Sequence, residues 1–421
     1  MTIGAPEVCK NRNLARAGKD GDKTRGIPVV TYHGIGPDRP GRESNHLLTP
    51  LELFEGQMKA LRDNGWTTIS LTHLCGHMFS GEPVPEKPVV LTFDGGYLDN
   101  YVLAWPILQK YGHRAAVWVT TDFIDPATDP GPTLESGYSG GAWRSGMPVS
   151  GFLSMAEMRL MEASGHIEIQ SRAKTGTCYP TGPKIIDFHR PVGVDGYMPP
   201  PWLAWNAFPE SKHEYMSRSR EDEISYGTPV YFNSRSLDAP RYYPDPALSE
   251  RLVLHVIRNG GDNFFAREGW RGELESIAAQ NPPSADSVET QAEYLERALF
   301  ELTESRRILS EGLGHRVDFL CWPGDSGDPG HLELAKEAGY FALAAHFDKD
   351  GRRNVPGQDP SRIAMIESGS PWAWKGRLIR GTDPGFFISI LENFAGGQNT
   401  VWTMRSYKLK YLLRHYLTGT I

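Results

Sequence analysis

The sequence predicts an α/β protein built from parallel strand–helix units. Short apolar runs of strand length alternate with helical patterns from residue 27 to about 177, and glycines stop the helices at Gly65, Gly112 and Gly165. One stretch, PVVLTFDGGYLDNY (88–101), organises the rest. Its run Val89-Val90-Leu91 suits a buried strand, which reaches Asp94, breaks at Gly95-Gly96 and passes into a helical pattern from Leu98. Enzymes of this class place chemistry at the C-terminal ends of their strands, where a rigid carboxylate beside glycines is open to a ligand. A lone Asp-Gly-Gly also reads as a turn with Asp94 as helix cap.

Bulk properties narrow the classes. A chain of 421 residues allows two or three domains, or one barrel with large insertions. A formal charge of −7 and a pI near 6.0 argue against a nucleic-acid partner. Eleven Trp and seventeen Tyr suit either core packing or flat platforms for sugar rings. Cys9, Cys75, Cys178 and Cys321 are scattered, with no C-x-x-C pair, which argues against a thiolate zinc site. They read as buried thiols, with room for one disulfide. No apolar run approaches the roughly 18–20 residues of a membrane helix. Residues 1–26 form a polar, basic leader without an apolar signal core. That fits a cytoplasmic protein, or one read after removal of a targeting segment.

In order, residues 27–33 predict a strand ending at His33, and Thr49-Pro50 starts a helix as cap and first helical residue. Residues 66–70 predict a strand, 71–80 a helix, 98–111 a helix and 113–120 a strand. The pattern continues with a helix at 154–163 and a strand at 166–171. Alternation breaks near 178, and residues 178–285 read as an insertion with a strand at 228–233 and a helix near 245–259. Residues 287–312 form the clearest helix, with Leu295, Ala298, Leu299, Leu302, Arg306 and Leu309 on its buried side and Gly312 as its stop. Strands follow at 317–321, 340–344 and 362–366, with a helix at 331–338. The domains are thus a leader (1–26), a barrel (27–370) carrying the insertion, and a mostly helical extension (371–421).

PVVTYHGI (28–35), LTFDGGYLDNY (91–101), IEIQS (167–171) and CWPG (321–324) occur in the order and spacing of a known family. Together they resemble the polysaccharide deacetylases (carbohydrate esterase family 4), and among them bacterial exopolysaccharide deacetylases. The resemblance covers about residues 27–177 and 287–366. It implies a distorted (β/α) barrel of about seven strands, with the site at the strand C-termini. GPKIIDFHRP (182–191) and YGTPVYFNSRSL (226–237) resemble a segment carried by some bacterial members.

The family's T-F-D-D-G motif supplies a general base and then a metal-binding Asp. Here Asp94 stands at the base position and Gly95 at the ligand position. The family's S-H-x-x-x-H reads Ser171-Arg172-Ala173-Lys174-Thr175-Gly176, so Arg172 and Gly176 replace both histidines. Neither glycine nor an always-charged guanidinium binds zinc. No metal and no other cofactor is therefore expected at these positions. Arg172 is expected to pair with Asp94 and replace the missing positive charge; the other reading is a surface residue on a changed loop. His33, His189 and Asp94 form an alternative ligand set. His33, Tyr97, Trp322, Pro323 and His189 are the candidate substrate-binding residues, with Trp322 either stacking on a sugar or lying in the core. Asp99 reads as a loop-ordering residue. His346 is nearest to the family's late catalytic histidine. No G-x-S-x-G nucleophile signature is present.

Three functions fit these residues. One is an acylated amino-sugar polymer binder without ordinary metal-dependent hydrolysis. The second is a hydrolase that uses Asp94 with a rebuilt or metal-independent site. The third is an assembly module for polysaccharide machinery.

Overall fold

The computed structural model describes residues 25–36, 47–134, 149–218, 220–280, 288–324, 328–345, 353–368, 372–374, 377–379, 383–397, 403 and 405–412. The chain divides into two compact units, residues 1–173 with 305–421, and residues 174–304. His46, His346, His415, Cys9 and most of the leader lie outside the described residues.

The first unit is built on parallel strands β1 (Val29–Tyr32), β2 (Pro88–Asp94), β3 (Ala115–Val119), β4 (Ile167–Ser171), β5 (Phe319–Cys321), β6 (Ala342–Ala345), β7 (Arg362–Ala364) and β8 (Ile366–Glu367). Their spatial order is β7-β6-β5-β4-β3-β2-β1-β8, and every pairing is parallel. The two ends of that order, β7 and β8, are separated in sequence by Met365 alone. One extended segment therefore pairs with β6 on one edge and with β1 on the other, closing the sheet into a barrel. Taken as one staff, β7 and β8 make the seventh stave, in agreement with the expected (β/α) barrel.

Registers fix which side chains face inward. Val29 pairs with Val90, Thr92 with Ala116, Ala116 with Glu168, Phe319 with Ala342 and Ala344 with Ile363. Side chains alternate with period two, so these positions and those two residues on face the same way. Val29, Val90, Ala116, Trp118, Phe319, Cys321, Ala342, Ala344 and Ile363 accordingly form one buried cluster. Helix α2 (Leu71–Ser80) adds Leu71, Leu74, Cys75 and Met78 to it. Ser70 caps α2 by accepting the His73 N–H, as a serine before an apolar run should.

Helices α1 (Leu51–Asp63), α3 (Trp105–Tyr111) and α4 (Met155–Ala163) connect the early strands. Strand 66–70 shrinks to Thr67–Thr68, which pairs with the start of β2. The helix expected from Leu98 opens with a wide turn over Asn100–Ala104, in which Trp105 N–H reaches Asn100 O. Pro106 has no N–H to continue an ordinary ladder into that turn, which accounts for the widening. Later, α5 (Gln291–Leu313) runs past Gly312, whose missing side chain makes room for Met155; Gly314, at φ +79°, follows the last helical residue. On its early turns Leu295 is 44% exposed, contrary to the expected buried side. Helices α6 (Pro329–Glu337) and α7 (Pro384–Phe394) follow in this unit, with residues 405–412 also helical.

The second unit holds an antiparallel ribbon of Cys178–Phe188 and Pro229–Arg235. The first of these strands escaped the sequence reading because its prolines and glycine, Pro180, Gly182 and Pro183, break the apolar alternation; the pairing register shifts there. Helices Pro246–Arg258 and Trp270–Ala279, with the short turn Gly261–Ala266 between them, pack Leu252, Val256, Phe264, Trp270 and Leu274 around Phe188.

Candidate functional site

The period of two brings four residues to the inward face at the strand ends, Asp94 and Cys321 as last strand residues and His33 and Arg172 as the residues just after theirs. His33 follows Val29 and Thr31, Asp94 follows Val90 and Thr92, Arg172 follows Glu168 and Gln170, and Cys321 follows Phe319. The site is thus written into the registers of four parallel strands at their C-terminal rim.

Asp94 is at its centre. Arg172 Nε forms an ion pair with Asp94 Oδ1, and His33 Nε2 lies 3.5 Å from Asp94 Oδ2. The side chains are 10% exposed at Asp94, 17% at Arg172 and 18% at His33, so the pair lies in a pocket that solvent still reaches. Burial opposes the Arg172 charge, but the Asp94 carboxylate, with Cys321 and Tyr97, outweighs it and holds the guanidinium above its ordinary pKa. Burial pushes the Cys321 thiol well above its ordinary range, aided by Asp94 and opposed by Arg172. The expected pairing of Arg172 with Asp94 is present, and Arg172 is not a surface residue.

The turn that carries Arg172 is held by a closed hydrogen-bond circuit. Ala173 is fully buried and left-handed at φ +61°, a costly conformation for a residue with a side chain. Its N–H donates to Ser171 Oγ at 3.1 Å, and Tyr340 Oη donates to the same oxygen at 2.7 Å. Ser305 Oγ donates to Ala173 O at 2.9 Å. The remaining bond, 2.9 Å between Ser171 Oγ and Ser305 Oγ, must then be donated by Ser171, and every proton has one acceptor. The Arg172 N–H donates to Val119 O at 2.8 Å. Sequence reading missed Ser305 and Tyr340. Ser305 did leave a signal, a small polar residue three positions after Leu302 on the buried stripe of α5.

Gly95 shows why the family's ligand position is altered in more than identity. Its φ is +111°, and a Cβ there would lie 2.8 Å from Tyr97 Cε2. The Tyr97 ring fills the place where a ligand side chain would begin, and it stacks on Phe152 at 5.5 Å. Gly176, at φ +57°, likewise offers no side chain. The residues at the family's metal positions therefore do not fit a metal ion. Among the described residues, no three His, Cys, Asp or Glu side chains gather to hold one.

The remaining candidates disperse. Asp99 is fully buried and accepts Asn100 Nδ2–H at 2.8 Å, while the same nitrogen reaches His33 O at 3.0 Å. Asp99 thus orders the loop behind His33. Trp322 is 2% exposed and stacks on His331 at 3.9 Å and 14°, with Pro323 buried beside it. Of its two readings, the core one holds. His189 belongs to the second unit, where it is 1% exposed and lies 3.1 Å from Tyr197 Oη, its pKa lowered by burial. It is an interior residue of that unit rather than an open binding group. Cys75, Cys178 and Cys321 are thiols that take part in no disulfide. Among the described residues, no helix is long and apolar enough to cross a membrane.

Residues 81–224 match the sequence profile described as polysaccharide deacetylase. A Bacillus subtilis protein, YxkH, assigned by name to the polysaccharide deacetylases, is 34% identical over 115 residues, 27% of this chain and 39% of that one. The poly-beta-1,6-N-acetyl-D-glucosamine N-deacetylase of Escherichia coli K12 is 30% identical over 105 residues, 25% of this chain and 15% of that one. These matches span well under half of either relative. Among solved structures, a de-N-acetylase from Aggregatibacter actinomycetemcomitans aligns over 83% of this chain and 97% of its own, at 16% identity and a TM-score of 0.49. The BpsB deacetylase domain of Bordetella bronchiseptica aligns over 83% and 97%, at 18% and 0.47. By its sequence motifs and the profile match, the chain carries a polysaccharide deacetylase domain that includes residues 81–224.

Proposed function

We propose that this protein acts in glycan or exopolysaccharide metabolism by binding an acylated amino-sugar polymer without metal-dependent hydrolysis. The observation that supports this most is the Arg172–Asp94 pair at the strand ends. In the family's chemistry a metal polarises the acyl carbonyl and activates water. Here the local positive charge is a guanidinium, which has five N–H donors and does not ionise water. Nε is taken by Asp94, and the terminal nitrogens are suited to hold a carbonyl or hydroxyl oxygen of the glycan. His33 would contribute a second polar contact, and Tyr97 a ring edge beside Gly95.

The test is metal content after purification, read with acetate release from an N-acetylglucosamine oligomer and with binding of that oligomer. The expected result is substoichiometric metal, no acetate, and binding that Arg172→Ala weakens. A tightly held metal with metal-dependent acetate release would overturn the proposal.

One observation favours a second reading, a hydrolase without metal. His33 Nε2 lies 3.5 Å from Asp94 Oδ2, an arrangement in which a carboxylate orients an imidazole for proton transfer. That reading requires chelator-resistant acetate release which both His33→Gln and Asp94→Asn abolish.

A further inference from the structure

We propose that the 174–304 unit carries a second carbohydrate site, a cleft that takes the free-amine, cationic form of an amino-sugar chain. The inference rests on the glycan reading above and adds a ligand form to it. The cleft has a volume of about 440 Å³, within the usual range for small-ligand sites.

Its floor is a neutralised pair. Glu289 is 7% exposed and accepts Arg297 Nε–H at 2.7 Å and Nη2–H at 2.9 Å, the Arg241 N–H at 2.7 Å and Tyr243 Oη–H at 3.2 Å. Neither charge of that pair is left over for a ligand. The walls are different. Tyr243 is 46% exposed and Phe300 59% exposed, both lining the cleft. The Phe300 ring offers a flat apolar face to a ligand, while the Tyr243 ring carries the Arg241 guanidinium 4.8 Å from its centroid, so Phe300 is the main stacking surface. Glu293 and Glu296 line the same cleft and are exposed. Glu293, Glu296 and Phe300 follow one another at helical spacings of three and four on α5, so they share a face.

These features together select the ligand. The charged side chains that line the cleft are Glu289, Glu293 and Glu296 against Arg297, a negative balance that disfavours anionic chains. A bare cation would use the carboxylates and leave both rings without a purpose. A neutral N-acetylated sugar would use the rings and leave the carboxylates unmatched. A hexosamine chain with free amines uses both, laying C–H faces on Phe300 and Tyr243 and placing ammonium groups against Glu293 and Glu296. The charge match is what distinguishes this cleft from the Arg172 pocket, whose cation suits a neutral acyl oxygen.

The test is titration calorimetry on the full chain with a glucosamine tetramer, an N-acetylglucosamine tetramer and a lysine tetrapeptide. Phe300→Ala removes an exposed ring and is expected to weaken glucosamine-tetramer binding about fivefold. Glu293→Gln with Glu296→Gln should weaken it further and flatten its salt dependence. Gln at 293 keeps the helix cap, since Glu293 serves there only as acceptor for the Thr290 N–H and hydroxyl. Arg172→Ala should weaken N-acetylglucosamine binding more than glucosamine binding, and the cleft variants the reverse. Absence of glucosamine-tetramer binding overturns the proposal, as does loss of that binding in Arg172→Ala but not in the cleft variants. Equal binding of the lysine peptide would also overturn it, by making the cleft a basic-peptide site. Failure of N-acetylglucosamine binding alone would instead count against the Arg172 pocket reading and leave the cleft standing.

Discussion

Tyr340 donates its phenolic proton to Ser171 Oγ at 2.7 Å, joining residues 169 positions apart directly behind the turn that carries Arg172. Tyr340→Phe keeps the ring packing and removes only that donor. The expected cost is about 1–2 kcal/mol by chemical denaturation, the scale for a buried hydrogen bond whose partner is left short of a donor. Ser305→Ala should cost a similar amount, and the two effects should be less than additive because both act through Ser171 Oγ.

Removing the guanidinium leaves a largely buried carboxylate without its cation. Arg172→Ala is expected to lower stability at neutral pH by about 1–2 kcal/mol, below the range for fully buried pairs because solvent reaches this pocket. Asp94→Asn in the Arg172→Ala background should recover part of that loss. A double-mutant cycle by denaturant unfolding measures the coupling.

Restoring one ligand of the family pattern should not restore a metal. Gly95→Asp would have to occupy φ +111° with its Cβ 2.8 Å from Tyr97 Cε2. The expected outcome is a loss of about 1–3 kcal/mol with no zinc uptake, read by thermal unfolding with and without zinc. Gly95→Asp combined with Tyr97→Ala should recover part of the steric loss and still bind no zinc, because Arg172 keeps its charge.

A pH effect should come from the other end of the barrel. Glu168 faces inward on β4 and accepts the Leu71 N–H at 2.8 Å. Burial raises its pKa from 4.5 to about 7, opposed by the Leu71 hydrogen bond and by Arg114. The folded protein thus holds this proton more tightly than the unfolded chain. Its contribution to stability is complete below the ordinary carboxylate range and is lost as pH rises through about 7. Unfolding free energy should fall between about pH 5 and pH 8, and Glu168→Gln, neutral throughout, should flatten that slope.

Much of the barrel was legible because parallel strands buried on both faces have short continuous apolar runs, and β2 and β3 show this plainly. Asp94 and Arg172 were legible as a pair because an inward carboxylate at a strand end needs a cation when the metal ligands are absent. Trp322 was not resolvable from sequence, since a ring that stacks on a sugar and one that stacks on His331 have the same local signal. His189 misled because a histidine in an irregular segment carries no mark of burial. Tyr340 and Ser305 were hidden for another reason. Their role depends on a tertiary circuit, and neither adjoins a recognisable motif.

The bridging segment from Arg362 to Glu367 has a consequence for synthesis. Until those residues leave the ribosome, β1 and β6 present bare backbone donors and acceptors along both margins of an unfinished sheet. Six staves can be translated and begin to associate before the seventh exists, and during that interval the nascent chain is open to strand addition from its neighbours. Yield in cells should therefore respond to translation speed and chaperone supply around this late segment more sharply than the finished barrel's resistance to denaturant would suggest.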